Sequence, residues 1–183
     1  MYKKILVRGV LAAVLTGMLL LSGCDEKKKI ERIDLQEFQA MDLDGNEVTQ
    51  QIFKNADVTM INVWGTFCGP CIDEMPELGE FAREYADKNV QVIGVVSDVP
   101  YTETGSQDMA NKVRKIMKQT GADYLQLHTS KDLDRLLVSN VLGYPTNILV
   151  DKNGKLISDS EIVGGTRQDW EDAADQALRE VKE

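Results

Sequence analysis

Apolar positions along this 183-residue chain change their spacing from segment to segment, and each change predicts an element. Val10 to Leu21 is a nearly unbroken apolar run behind Lys3, Lys4 and Arg8, whereas Asp25 to about Ile33 is charged and lysine-rich. Phe38 to Met41 and Val48 flank an Asp44-Gly45 turn signal, which predicts a short β-hairpin. Val58–Val63 and Val90–Val96 are apolar, β-branched runs of the kind found in strands covered on both faces. Between them Met75, Leu78, Phe81, Ala82 and Tyr85 recur at helical spacing, so a helix is expected from Cys68 to about Tyr85, with a kink at Pro76. Residues 101–106 are polar and read as loop. Met109, Val113, Ile116 and Met117 then mark an amphipathic helix that Gly121 ends. Tyr124–Leu127 reads as a short strand, and Leu133, Leu136 and Leu137 share one helix face. Asn147–Val150 and Lys155–Ser158 flank Asp151 to Gly154 as an antiparallel hairpin, and Trp170, Ala173, Ala174, Ala177 and Leu178 form the inner stripe of a closing helix. A β-α-β start, a hairpin and a last helix make a three-layer α/β plan with a mixed central sheet flanked by helices.

The first segment reads as an address. A basic start, an apolar run and the small residues of Leu21-Ser22-Gly23 ahead of Cys24 have the layout of a secretory signal. The Leu-Ser-Gly-Cys ending resembles a bacterial lipobox, which implies cleavage before Cys24, diacylglycerol on its sulfur and an acyl chain on the new N-terminus. An uncleaved membrane anchor is the alternative, disfavoured because the run is short of the roughly 20 apolar residues that a span needs. The expected organisation is therefore a signal peptide over 1–23, a lipid-anchored tether over 24–34 and one domain over 35–183. Either way the folded part faces the outside of the cytoplasmic membrane.

Charge follows from that division. Residues 1–23 hold three of the 21 basic side chains and none of the 30 acidic ones, so the remainder carries a net −12. Such a surface argues against nucleic acid and against electrostatic attachment to anionic lipid. It leaves the lipid as the membrane attachment, and a monomer is the default.

With Cys24 assigned to lipid, Cys68 and Cys71 remain, in Trp64-Gly65-Thr66-Phe67-Cys68-Gly69-Pro70-Cys71. A zinc site needs two further ligands, and the one histidine, His128, is far along the chain and reads as structural or surface. Covalent haem needs His after the second cysteine, where Ile72 stands. No metal or cofactor is therefore expected. A Cys-x-x-Cys between a strand and a helix places the first sulfur at the helix N-terminus, where free N–H groups and the dipole favour a thiolate. That thiolate is the nucleophile of thiol–disulfide exchange, and Cys71, more buried, resolves the mixed disulfide. A static disulfide is the other reading, weakened because so small a loop stabilises little when closed. Glu74 lies three residues after Cys71 on the same helix face, placed to move its proton if low polarity raises the carboxyl pKa. A solvated helix glutamate is the other reading.

The segment Ile61 to Pro76 resembles the active-site stretch of the TlpA/ResA-like family of thioredoxin-like proteins, and Val141-Leu142-Gly143-Tyr144-Pro145-Thr146 resembles the stretch where that fold places a cis-proline. Residues 35–183 fit the family layout, with the N-terminal hairpin and a helical insertion around 101–121. The resemblance implies a thioredoxin-like fold and a membrane-tethered thiol–disulfide oxidoreductase outside the cytoplasm. It implies Cys68 as attacking thiol, Cys71 as resolving thiol, Glu74 as proton carrier and Pro145 cis against the disulfide. Trp64, Phe67 and Tyr144 would border an apolar substrate groove, although Trp64 reads as well as core. Asn62 stands where cytoplasmic thioredoxins have a buried aspartate, and an amide takes no proton at working pH.

The Gly69-Pro70 spacer is that of thioredoxin and favours a reductase. Such a protein would be fed by a CcdA/DsbD-type membrane carrier and would reduce apocytochrome c, methionine sulfoxide reductases or peroxidases. A disulfide oxidase or isomerase for secreted proteins, and a non-enzymatic binding lipoprotein, are the alternatives.

Overall fold

The computed structural model describes residues 33–100, 106–157 and 161–182; the expected signal peptide, Cys24, most of the expected tether and residues 101–105 of the expected loop lie outside them. Five strands form the central mixed sheet in the order β5-β4-β3-β6-β7. Its middle strand, β3 (Val58–Trp64), is buried along its whole length, as its continuous apolar run predicts. On one side β3 pairs in parallel with β4 (Val90–Pro100), and β4 with β5 (Leu125–Thr129). On the other side β6 (Thr146–Asp151) runs antiparallel to β3, and β7 (Ile162–Val163) antiparallel to β6. The N-terminal hairpin, β1 (Gln39–Met41) and β2 (Glu47–Thr49), forms its own two-stranded sheet.

Helices cover both faces. Against one lie α1 (Gly69–Ala86), α2 (Ser106–Thr120) and α4 (Arg167–Glu180), whose Met75, Leu78, Phe81, Val113 and Trp170 pack with Met60 and Trp64 of β3. Against the other lie the hairpin region and α3 (Lys131–Leu136), where Leu35, Phe38, Phe53 and Leu133 meet Ile61, Val63, Ile93 and Ile148. Alternate residues of the buried strands feed the two layers, which is why those strands read as continuous rather than alternating runs.

Four details differ from the sequence reading. Packing begins before residue 35: Ile33 is buried, Asp34 bridges to Lys155, and Leu35 donates its amide to the Gly154 carbonyl at 3.1 Å. Gly154 permits this closeness, because a Cβ there would stand 2.5 Å from the Leu35 oxygen and its φ is +78°. Strand β4 runs past Val96 to Pro100, with a register shift that absorbs the polar Ser97-Asp98. The segment after Gly154 returns along β6 through single bridges, Val150 to Leu156 among them, and the edge strand is instead β7. Pro76 sits inside α1, which continues through it; its missing N–H leaves the Ile72 carbonyl without its usual donor. The helix expected in the insertion around 101–121 is α2, which forms the crossover between the parallel strands β4 and β5.

Candidate active site

Strand β3 ends at Trp64, and the chain turns through Gly65, Thr66 and Phe67 into α1. Two contacts fix that turn. The Cys68 amide donates to the Gly65 carbonyl at 3.0 Å, and the Thr66 amide donates to Asp98 Oδ1 at 2.8 Å. The Thr66 hydroxyl donates to the other Asp98 oxygen and accepts from Lys112 Nζ at 2.9 Å. The end of β4 and helix α2 thus hold the backbone two residues ahead of the first cysteine. A Cβ on Gly65 would meet the Phe67 ring at 2.6 Å, so the glycine makes room for the ring to lie over the turn.

Cys68 is the N-cap of α1, and its sulfur accepts the Cys71 amide at 3.3 Å. That contact is the helix end acting on sulfur, as the position of the motif predicts. Cys68 and Cys71 form a disulfide, with Cys68 8% and Cys71 1% exposed. The first sulfur is therefore the one an incoming thiol meets.

Glu74 lies one turn beyond Cys71. Its Oε1 accepts from Asn62 Nδ2 at 3.1 Å and from Asn147 Nδ2 at 3.5 Å. Burial pushes its pKa up to about 7, and the two amide donors, which favour the anion, only partly offset that. A carboxyl with this pKa takes and gives protons at neutral pH.

Tyr144-Pro145 is a cis peptide bond, and Thr146 opens β6 directly after it. The Tyr144 ring meets the Phe67 ring edge-on at 6.1 Å, which brings the proline loop beside the cysteine loop. Phe67 is 67% and Leu142 80% exposed, so the apolar rim is open to solvent. Trp64 is not part of it. Its side chain is fully buried and its indole N–H donates to Gln126 Oε1 at 2.8 Å, because β3 directs it into the core beneath α1. His128 is buried on β5 with Nδ1 3.1 Å from the Val99 carbonyl, and burial pushes its pKa down, in keeping with a structural role. Among the described residues no cluster of acidic, Cys or His side chains is arranged to hold a metal.

Sequence reasoning missed Asp98, Tyr124 and Asn147. Asn147 left a trace as a buried-strand amide directly before the apolar run Ile148–Val150, and Asp98 as the first charge after the β4 run. Tyr124 left none.

The comparisons with known proteins agree with this geometry. The Redoxin family matches residues 29–178. The thiol-disulfide oxidoreductase ResA of Bacillus cereus is 30% identical over 162 residues, covering 85% of this chain and 87% of that protein. ResA of Bacillus thuringiensis subsp. konkukian is 32% identical over 135 residues, covering 74% and 71%. A thioredoxin-family thiol:disulfide interchange protein of Chlorobium tepidum has the same fold, with a TM-score of 0.63 at 21% identity over 80% of this chain and 97% of that one. A cysteine sulfur capping a helix, a more deeply buried partner one turn on and relatives of this kind lead to one assignment. This chain belongs to the Redoxin family as a TlpA/ResA-like, thioredoxin-fold thiol–disulfide oxidoreductase.

Proposed function

We propose that the chain is a lipid-anchored reductase working outside the cytoplasm. Cys24 carries the lipid, a CcdA/DsbD-type membrane carrier supplies electrons, and oxidised envelope proteins such as apocytochrome c, methionine sulfoxide reductases or peroxidases receive them. The observation that carries the chemistry is Cys68 capping α1 as the less buried of the two cysteines, with a carboxyl of pKa about 7 one turn from the more buried Cys71.

In the reduced state the Cys68 thiolate, favoured by the helix end, attacks one sulfur of a substrate disulfide. A mixed disulfide forms and the other substrate sulfur leaves as a thiolate. Glu74, as carboxylate, takes the Cys71 proton, and the Cys71 thiolate attacks Cys68 Sγ. The Cys68–Cys71 disulfide forms, the second substrate sulfur leaves, and two electrons have passed to the substrate. The carrier then reverses these steps, with Glu74 returning the proton to Cys71. Phe67, Tyr144 and Pro145 border the groove in which the extended substrate lies.

The direction of flow rests on the Gly69-Pro70 spacer, shared with thioredoxin. It is tested by the equilibrium reduction potential of the full chain in detergent micelles, measured in thiol redox buffers at pH 7. A value near or below about −250 mV is expected. A value above about −180 mV overturns the reductase and makes the protein a disulfide donor or isomerase.

A further inference from the structure

One rung of the central sheet is built of three amides and a glycine. Gln126, Gly94, Asn62 and Asn147 stand side by side on β5, β4, β3 and β6. The three amide side chains are buried, and buried amides persist in a core when they are hydrogen-bonded. An amide can present its carbonyl or its NH2 in a given direction, so its neighbours must select one. At one end Trp64 selects: an indole N–H only donates, so the Gln126 oxygen faces it at 2.8 Å. Gln126 Nε2, on the other side of the amide, makes no hydrogen bond.

Tyr124 selects the orientation of Asn62. Its hydroxyl donates to Asn62 Oδ1 at 3.3 Å. Burial first, and the Glu74 charge second, push the phenol pKa far up, so it keeps its proton and remains a donor throughout the working range. With Oδ1 held on that side, Asn62 Nδ2 faces the opposite way, toward Asn147 Oδ1 at 2.9 Å and Glu74 Oε1 at 3.1 Å. Asn147, accepting from Asn62, in turn directs its own Nδ2 at the same Glu74 oxygen, at 3.5 Å.

We propose that Tyr124 is a positioning residue for proton transfer at the cysteine pair. By donating to Asn62 Oδ1 it fixes the amide so that Nδ2 faces Glu74, and so sets how tightly Glu74 holds its proton. The link to the reaction rests on the reading that Glu74 serves Cys71. The groups that face Glu74 among the described residues are the Asn62 amide from β3, the Asn147 amide from β6 and, beyond Asn62, the Tyr124 phenol from just before β5; Cys71 precedes it on α1. Because both amides donate to Oε1, the carboxyl proton is carried on Oε2. The phenol sits directly before β5, so the connection from α2 to β5 contributes a group to the site as well as a crossover to the sheet.

The test is a carboxyl-carbon NMR titration of Glu74 in the oxidised full chain in detergent micelles, for wild type and Tyr124→Phe. Without the hydroxyl, Asn62 is free to turn its carbonyl toward Glu74, an arrangement only the protonated acid satisfies. The Glu74 proton affinity is expected to rise about three- to tenfold, the effect of about one neutral hydrogen bond. An unchanged or lowered affinity overturns the proposal. A second variant carries 3,5-difluorotyrosine at position 124, a stronger donor of nearly the same shape, and decides the matter if the phenylalanine variant does not fold. It is expected to lower the affinity, and no change there overturns the proposal. Glu74→Gln separates this from the reading beneath it. A pH–rate profile of disulfide exchange that Glu74→Gln leaves unmoved overturns the role of Glu74 at Cys71, whereas an unmoved Glu74 pKa in Tyr124→Phe overturns the positioning role alone.

Discussion

At the scale of single residues, Glu74 sets a conflict between chemistry and stability. A carboxyl with a pKa of about 7 in the folded chain and about 4.5 when unfolded binds more protons folded than unfolded between those values. Stability therefore falls as pH rises through that window, and the full cost is present above pH 7. The shift corresponds to about 3 kcal/mol at most, less whatever solvent reaches the half-buried group. Glu74→Gln keeps the shape and removes the ionisation. Urea unfolding of the oxidised protein from pH 4.5 to 8 is expected to show wild type losing stability relative to the glutamine variant by about 1–3 kcal/mol, all of it between pH 4.5 and 7.5. His128 slopes the opposite way: its lowered pKa favours the folded state as pH rises through the ordinary imidazole range. It acts in both proteins, so the difference between them isolates Glu74. A difference that does not change with pH would mean that Glu74 has the same pKa folded and unfolded. The sequence placed Glu74 on the helix face of Cys71, but its burial was not legible there, because the two amides that receive it come from strands 12 and 73 residues away along the chain.

At the scale of elements, the crossover unit α2–β5 is tied to the site at three places. Lys112 of α2 reaches the Thr66 hydroxyl, Tyr124 directly before β5 reaches Asn62, and Gln126 of β5 accepts the Trp64 indole proton. The last contact requires that β4 have no side chain at position 94, where a Cβ would lie 2.0 Å from Gln126 Oε1 and 2.5 Å from its Cδ. Gly94→Ala is accordingly expected to cost about 2–3 kcal/mol in denaturant unfolding, from overpacking and from displacing an amide that satisfies a buried indole. In a Gln126→Gly background the same substitution is expected to cost less than about 1 kcal/mol, since the atoms it strikes are gone. Equal costs in the two backgrounds would show that the glycine serves the strand itself. The Val90–Val96 run announced β4 clearly, but Gly94 within it read only as part of an apolar strand; its partner lies on β5, 32 residues on. Trp64 reads from sequence as groove or core for a related reason. Its place beside the cysteine motif suggested the groove, and the alternation of β3 sends it into the core instead. The two-residue β7 is too short for any periodicity to reveal.

At the scale of the whole molecule, the chain joins the domain at the pole opposite the disulfide. Strand β3 starts at Val58, level with Asp151, and ends beside Thr146, next to the proline loop and the cysteine turn. Leu35 is bonded to Gly154, in the turn after Asp151. The order of elements was readable from the sequence, but not which end of the sheet receives the tether, since that depends on Leu35 meeting a turn 119 residues later. On the proposed lipid anchor this arrangement has a consequence. Residues 24–32 span no more than about 30 Å even fully extended. A domain of this size is roughly 35–40 Å across. An upright domain thus holds its disulfide far from the bilayer, convenient for soluble substrates, and must tip over on its tether to meet a carrier embedded in the membrane. Deleting residues 26–31 restricts that tipping. Reduction of the Cys68–Cys71 disulfide by a membrane thiol carrier, measured in proteoliposomes, is expected to slow about tenfold or more as the effective concentration of the site at the membrane falls. Reduction by dithiothreitol in the same vesicles is expected to stay within about twofold, because the site itself is untouched. Equal slowing by both reductants would place the damage in the domain, and an unchanged carrier rate would mean that the carrier reaches up to the disulfide rather than the domain bending down.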